Sequence, residues 1–116
     1  RILPLPQTVF HQFLIALADS ATPITLRLAN GGGILTHRFV PEGVFADGQQ
    51  LFLRGPGAGF LLHLGALRGF GTYLETDQRE QLCLLGGDEA VLATLGPAPG
   101  ELPQSKWEAA LQETLS

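Results

Sequence analysis

The sequence predicts an α+β domain: a mostly antiparallel sheet of about seven strands with one helix at each end. Three observations carry that reading. Apolar residues recur at helical spacing near both termini, and two-residue alternation fills the stretch between them. No strand–helix–strand alternation of the kind a parallel sheet needs appears anywhere.

The first helix is expected over residues 6–19, where Phe10, Phe13, Leu14 and Leu17 fall at i, i+3, i+4 and i+7 and make one aromatic-rich face. Thr22-Pro23 ends it. From Ile24 the period becomes two, with Ile24, Leu26 and Leu28 alternating with Thr25, Arg27 and Ala29. Gly31-Gly32-Gly33 is a turn, and residues 34–40 return as a second strand, completing a hairpin. Pro41-Glu42-Gly43 and Asp47-Gly48 mark the next loop. Residues 50–54, 60–64 and 67–75 then read as short strands divided by glycines. Residues 81–85 and 90–95 flank Gly86-Gly87-Asp88-Glu89, which suits a tight hairpin connection. A loop carrying Pro97, Pro99, Gly100 and Pro103 leads to Ser105, placed to cap a last helix with Glu108 reaching back as a capping box. Trp107, Leu111 and Leu115 form its apolar stripe, which should pack on the sheet or on a second subunit.

At 116 residues the chain fits a single domain, 1–116, with one core. A hydrophobic content of 45% against 16% charged residues excludes a disordered tail. No apolar run reaches the roughly 20 residues that span a bilayer, so membrane insertion is not expected. The net charge of −4 argues against nucleic acid, whose phosphates need a basic surface. The single Cys83, set among leucines, reads as a buried structural thiol in a reduced, cytoplasmic compartment. No charged start followed by an apolar stretch and a small-residue cleavage site marks an export signal.

Catalytic motifs are absent or explained by turns. Gly55-Pro56-Gly57-Ala58-Gly59 lacks the following helix that a phosphate loop requires, and Phe60 to Leu64 reads as a strand. Gly86-Gly87-Asp88-Glu89 matches the tetrapeptide of cyclic-dinucleotide synthases. Ala90 stands where an aromatic residue follows there, and turn chemistry accounts for the sequence. Ser20, Ser105 and Ser116 have no nucleophile elbow. His11, His37 and His63 are too far apart in sequence for a local metal motif. For His11 and His37 the default is a surface or hydrogen-bonded imidazole. His63 shares a strand face with Leu61, so an imidazole is presented from an otherwise apolar strand; a flat hydrophobic macrocycle with an axial metal would use such a wall. An imidazole satisfied inside the core is the equal alternative.

From Ile24 onward the segments resemble, in order, the cytosolic haem-utilisation family of haem carriers and two-repeat haem-degrading proteins. The likeness rests on Ile24-Thr25-Leu26, Ile34-Leu35 and Pro41-Glu42-Gly43. It continues through Phe52-Leu53-Arg54-Gly55 with the strand bearing His63, and through the strand–turn–strand unit from Glu80 to Leu92. The resemblance implies one repeat of an antiparallel sheet flanked by helices, often paired as a homodimer, and haem as the ligand. It places His63 at a haem-associated position, the likeliest iron ligand. The family's second His falls near Ala29, leaving His37 as a substitute. Arg54 and Arg68 are the candidates to meet the haem propionates.

The leading expectation is therefore a non-enzymatic haem-binding or haem-trafficking protein of bacterial haem utilisation. The alternative is an interaction or dimerisation module that keeps the fold without haem. Haem degradation ranks last, since degrading members resemble two joined repeats and this chain supplies one.

Overall fold

The computed structural model describes residues 3–30, 32–67, 69–74, 80–87 and 90–115. Among these are nine strands and two helices, in the order β1 (Leu3–Leu5), α1 (Gln7–Asp19), β2 (Ile24–Asn30), β3 (Gly33–Phe39), β4 (Gly43–Ala46), β5 (Gln50–Gly55), β6 (Ala58–His63), β7 (Gly69–Leu74), β8 (Glu80–Leu85), β9 (Val91–Pro97) and α2 (Glu101–Leu115). A 3-10 turn, Leu64–Ala66, follows β6. The expected α+β class and antiparallel pairing stand. All seven expected strands are present, and two short ones, β1 and β4, bring the described total to nine, in a sheet of six (β1-β7-β8-β9-β2-β3) and a sheet of three (β4-β5-β6).

The two additional strands are the shortest and lie beside breakers. β1 carries Pro4, which has no N–H to donate, and it sits at the edge of the larger sheet, pairing only with β7. β4 lies between Pro41-Glu42 and Asp47-Gly48, where turn residues mask a four-residue strand that pairs with β5 from Gly43↔Arg54 to Ala46↔Leu51. The start of α2 is corrected as well. The helix begins at Glu101, directly after Gly100 at φ 122°, so Ser105 lies inside it rather than capping it. Pro103 is tolerated because it falls in the first turn, where its missing N–H would have had no partner within the helix.

The core is shared by both sheets and both helices. Ile24, Leu26, Phe70, Leu82, Leu84 and Leu95 come from the six-stranded sheet, and Leu51, Leu53 and Leu62 from the three-stranded one. The α1 stripe of Phe10, Phe13, Leu14 and Leu17 is fully buried between them, as its spacing predicts. Phe10 stacks on Phe70 with ring centroids 4.1 Å apart, and Phe13 meets Trp107 of α2 edge-on at 4.8 Å. The stripe of α2 thus finds α1 and β9, although Leu115 at its end is exposed. Cys83 is buried on β8, where its Sγ–H donates to the Gly71 carbonyl at 3.3 Å. Burial pushes its thiol above the usual value, which suits a structural residue.

Candidate functional site

The outer face of the three-stranded sheet gathers two of the residues singled out by sequence. Alternation does put His63 on the same face as Leu61. Register then sets His63 opposite Gln50, Leu61 opposite Phe52, and Phe52 opposite Phe45, while Arg54 lies between Gly43 and Gly59. The opposite face of these strands, with Leu51, Leu53 and Leu62, is the one turned to the core. His63 therefore stands on the solvent side, its Nδ1 3.3 Å from the Gln50 Nε2. It is not a core imidazole. Around it Phe45 is 54% and Leu61 47% exposed, and the Arg54 guanidinium lies 5.6 Å from the centre of the Phe45 ring. The Phe52 ring lies across Gly59, where a Cβ would collide with it.

His37 is elsewhere. It lies on β3, an edge strand of the six-stranded sheet, exposed and 5.5 Å from the Phe39 ring. The structure thus puts His37 and His63 on different sheets. Arg68 lies outside the described residues. Among the described residues no group of three or more His, Cys, Asp or Glu side chains is arranged to hold a metal ion. No helix is long and apolar enough to cross a membrane.

His11 lines a cavity. A cleft of about 500 Å³ opens between the N-terminal half of α1 and the β4–β5 turn, lined by Gln7, Thr8, His11, Ala46, Gly48, Leu51 and Leu64. Neither His37 nor His63 lines it. Gln7 and Thr8 precede His11 by four and three residues, which puts all three on one side of the helix, beside the buried stripe that anchors α1. The opposite wall is held by Asp47. Its Oδ1 accepts the Gln49 N–H at 3.1 Å and the Gln50 N–H at 2.9 Å, and these bonds hold its carboxyl below the usual range. Gly48 can then adopt φ 93°, and the Leu64 N–H ties the end of β6 to the Gln49 carbonyl at 2.9 Å. The turn, apolar side chains from Ala46, Leu51 and Leu64, and one imidazole thus face one another across the cleft.

The fold built from these elements is that of haem-utilisation proteins. The chain superposes on ChuS, a haem oxygenase of Escherichia coli, with a TM-score of 0.83 and 17% identity, covering 99% of this chain and 37% of ChuS. It matches PhuS, a haem-binding protein of Pseudomonas aeruginosa, with a TM-score of 0.79 and 17% identity, over 97% of this chain and 34% of PhuS. The haem-binding protein ChuX gives 0.64 and 11% identity, over 99% of this chain and 77% of ChuX. The chain thus spans about a third of the length of ChuS and PhuS. No protein-family model matches it, and no curated protein matches it in sequence.

These neighbours correct one expectation. The resemblance alone points to a non-enzyme, since degrading proteins join two repeats. A haem oxygenase is built on this fold, and the whole chain superposes on part of it.

Proposed function

We propose that the chain is a haem-binding domain of haem utilisation, that haem enters the cleft beneath α1, and that an imidazole nitrogen of His11 is its axial ligand. The observation that carries this reading is the cleft itself, in which His11 stands among Ala46, Leu51 and Leu64. Its volume of about 500 Å³ is of ligand-pocket size. Apolar walls stabilise a buried macrocycle by about 25 cal/mol per Å² of apolar surface removed from water. At its polar end, Gln7 and Thr8 open a helix with no acidic residue in its first turn, which favours a ligand's carboxylates over a like charge. The shared fold of ChuS, PhuS and ChuX supports haem as the occupant.

A second reading has its own support. The outer sheet face around His63, with Phe45, Phe52, Leu61 and Arg54, offers one imidazole and one cation on an apolar platform. It places the ligand between copies of the chain rather than inside one. A homodimer is proposed on related grounds: β3 is an unpaired edge strand with Ile34 and Leu35 both exposed. A light-scattering mass near the 12.4 kDa of one chain would remove the dimer.

Titrating haemin into the protein and into Ala46→Trp tests the cleft. Trp at 46 fills it from the wall, and haemin affinity falls at least tenfold; equal affinity with the fold intact overturns the assignment. Reductant and oxygen added to the complex read the fate of the ligand. Loss of the Soret band to an open-chain product means degradation, and a persistent band means carriage.

A further inference from the structure

The two walls of the cleft are held in different ways. Gln7, Thr8 and His11 stand on α1, whose apolar stripe is fully buried in the core. The facing residues, Ala46, Gly48, Leu51 and Leu64, come from the β4–β5 hairpin and from the residue after β6. Residues 47–50 close that hairpin on the pair Ala46↔Leu51, and both members of the pair line the cleft. Gly48 lies within the turn at φ 93°. Leu64 is tied to the same turn through its N–H, which donates to the Gln49 carbonyl at 2.9 Å. All four residues that face α1 across the cleft thus depend on the turn at 47–50.

The Asp47 side chain closes this turn. Its Oδ1 accepts the Gln49 N–H at 3.1 Å and the Gln50 N–H at 2.9 Å, while the Asp47 N–H donates to the Gln50 carbonyl at 3.1 Å. Asp47 is itself exposed and does not line the cleft. The geometry of a hairpin's turn sets the register of its strands, and register decides which face each side chain takes. Without the carboxylate, the Gln49 and Gln50 amides turn to solvent, and Gly48 leaves the backbone free to wander. We propose that Asp47 is a positioning residue for ligand binding: through the 47–50 turn it holds Ala46, Gly48, Leu51 and Leu64 in place opposite His11 without touching the ligand. A wall set before the ligand arrives spares the cost of ordering it on binding. This role rests on the cleft being the haem site.

The experiment titrates haemin into wild type, Asp47→Ala, Asp47→Asn and Ala46→Trp, and follows amide hydrogen exchange in the ligand-free wild type and the two Asp47 variants. In Asp47→Ala the Gln49 and Gln50 amides exchange faster, and haemin affinity falls about fivefold, the weight of one hydrogen bond. Its circular dichroism and thermal midpoint stay close to wild type, because the change lies on an exposed turn. Asp47→Asn keeps an accepting oxygen in the same place and restores most of both the protection and the affinity. Wild-type affinity in Asp47→Ala, an equal loss in Asp47→Asn, or unchanged exchange at Gln49 and Gln50 overturns the positioning role. Ala46→Trp separates this role from the reading beneath it. If Ala46→Trp binds haemin as wild type does, the cleft is not the haem site and the role of Asp47 falls with it. If Ala46→Trp binds weakly while Asp47→Ala binds as wild type does, the cleft stands and only the role of Asp47 falls.

Discussion

Replacing Phe10 by Ala tests how α1 is held, and with it the wall that carries His11. Phe10 is fully buried and stacks on Phe70 at 4.1 Å, with the rings 14° from parallel. Removing the ring forfeits about 2 kcal/mol of transfer free energy. A residual cavity of about 80 Å³ at about 24 cal/mol per Å³ adds about 2 kcal/mol more. The lost aromatic pair contributes about 0.5 kcal/mol beyond area. The expected destabilisation is therefore about 4 to 5 kcal/mol, a large fraction of the roughly 5 to 15 kcal/mol that holds a domain of this kind folded. Urea unfolding followed by circular dichroism and by Trp107 emission reads it as a lower midpoint with an unchanged slope. Leu102→Ala is the control: Leu102 is largely exposed on α2, so its change should stay within about 0.5 kcal/mol. A Phe10→Ala loss below about 1 kcal/mol would refute the reasoning, because α1 could not then be anchored through this stack.

Two further outcomes follow from buried titratable groups. The Cys83 thiol, buried and raised in pKa, should react with a thiol reagent only at the rate of unfolding; fast reaction in native buffer would contradict its placement. Glu80 has a folded-state pKa above its unfolded value of about 4.5, so the folded state binds the proton more tightly than the unfolded one. Its stabilising contribution is complete below that value and is lost as pH rises through the folded pKa. Glu80→Gln should therefore gain stability relative to wild type progressively above pH 4.5, level off once wild-type Glu80 is ionised, and show little difference at lower pH; parallel stability curves would deny the shift.

Periodicity explains what could be read from sequence. The α1 stripe, the β2–β3 hairpin and the β8–β9 hairpin all use long alternating or helical patterns, and their pairing appears where the spacing puts it. β1 and β4 escaped because three or four residues beside Pro and Gly carry no readable period. The α2 start is hard to place from sequence because Pro103 reads as a stop unless it falls in the first turn. At the site, alternation correctly joined His63 to Leu61, but period two tells which residues share a face and not which face is inside. The cleft at His11 is invisible in the sequence for a related reason. The residues that make it part of a cleft, Ala46, Gly48, Leu51 and Leu64, lie far along the chain, and only the fold brings them opposite α1. The local signal available was Gln7, Thr8 and His11 on one side of a helix, next to its apolar stripe.

The central claim is that haem binds in the cleft with His11 as ligand, and the direct measurement is the Soret spectrum of haemin complexes of wild type, His11→Ala and His63→Ala. Haem ligation by His11 gives saturation at one haem per chain in the wild type, a shifted Soret maximum in His11→Ala, and an unchanged maximum in His63→Ala. Affinity should fall less than the spectrum changes, since the apolar walls remain. A non-saturating wild-type titration, or a maximum that shifts in His63→Ala and holds in His11→Ala, would contradict it.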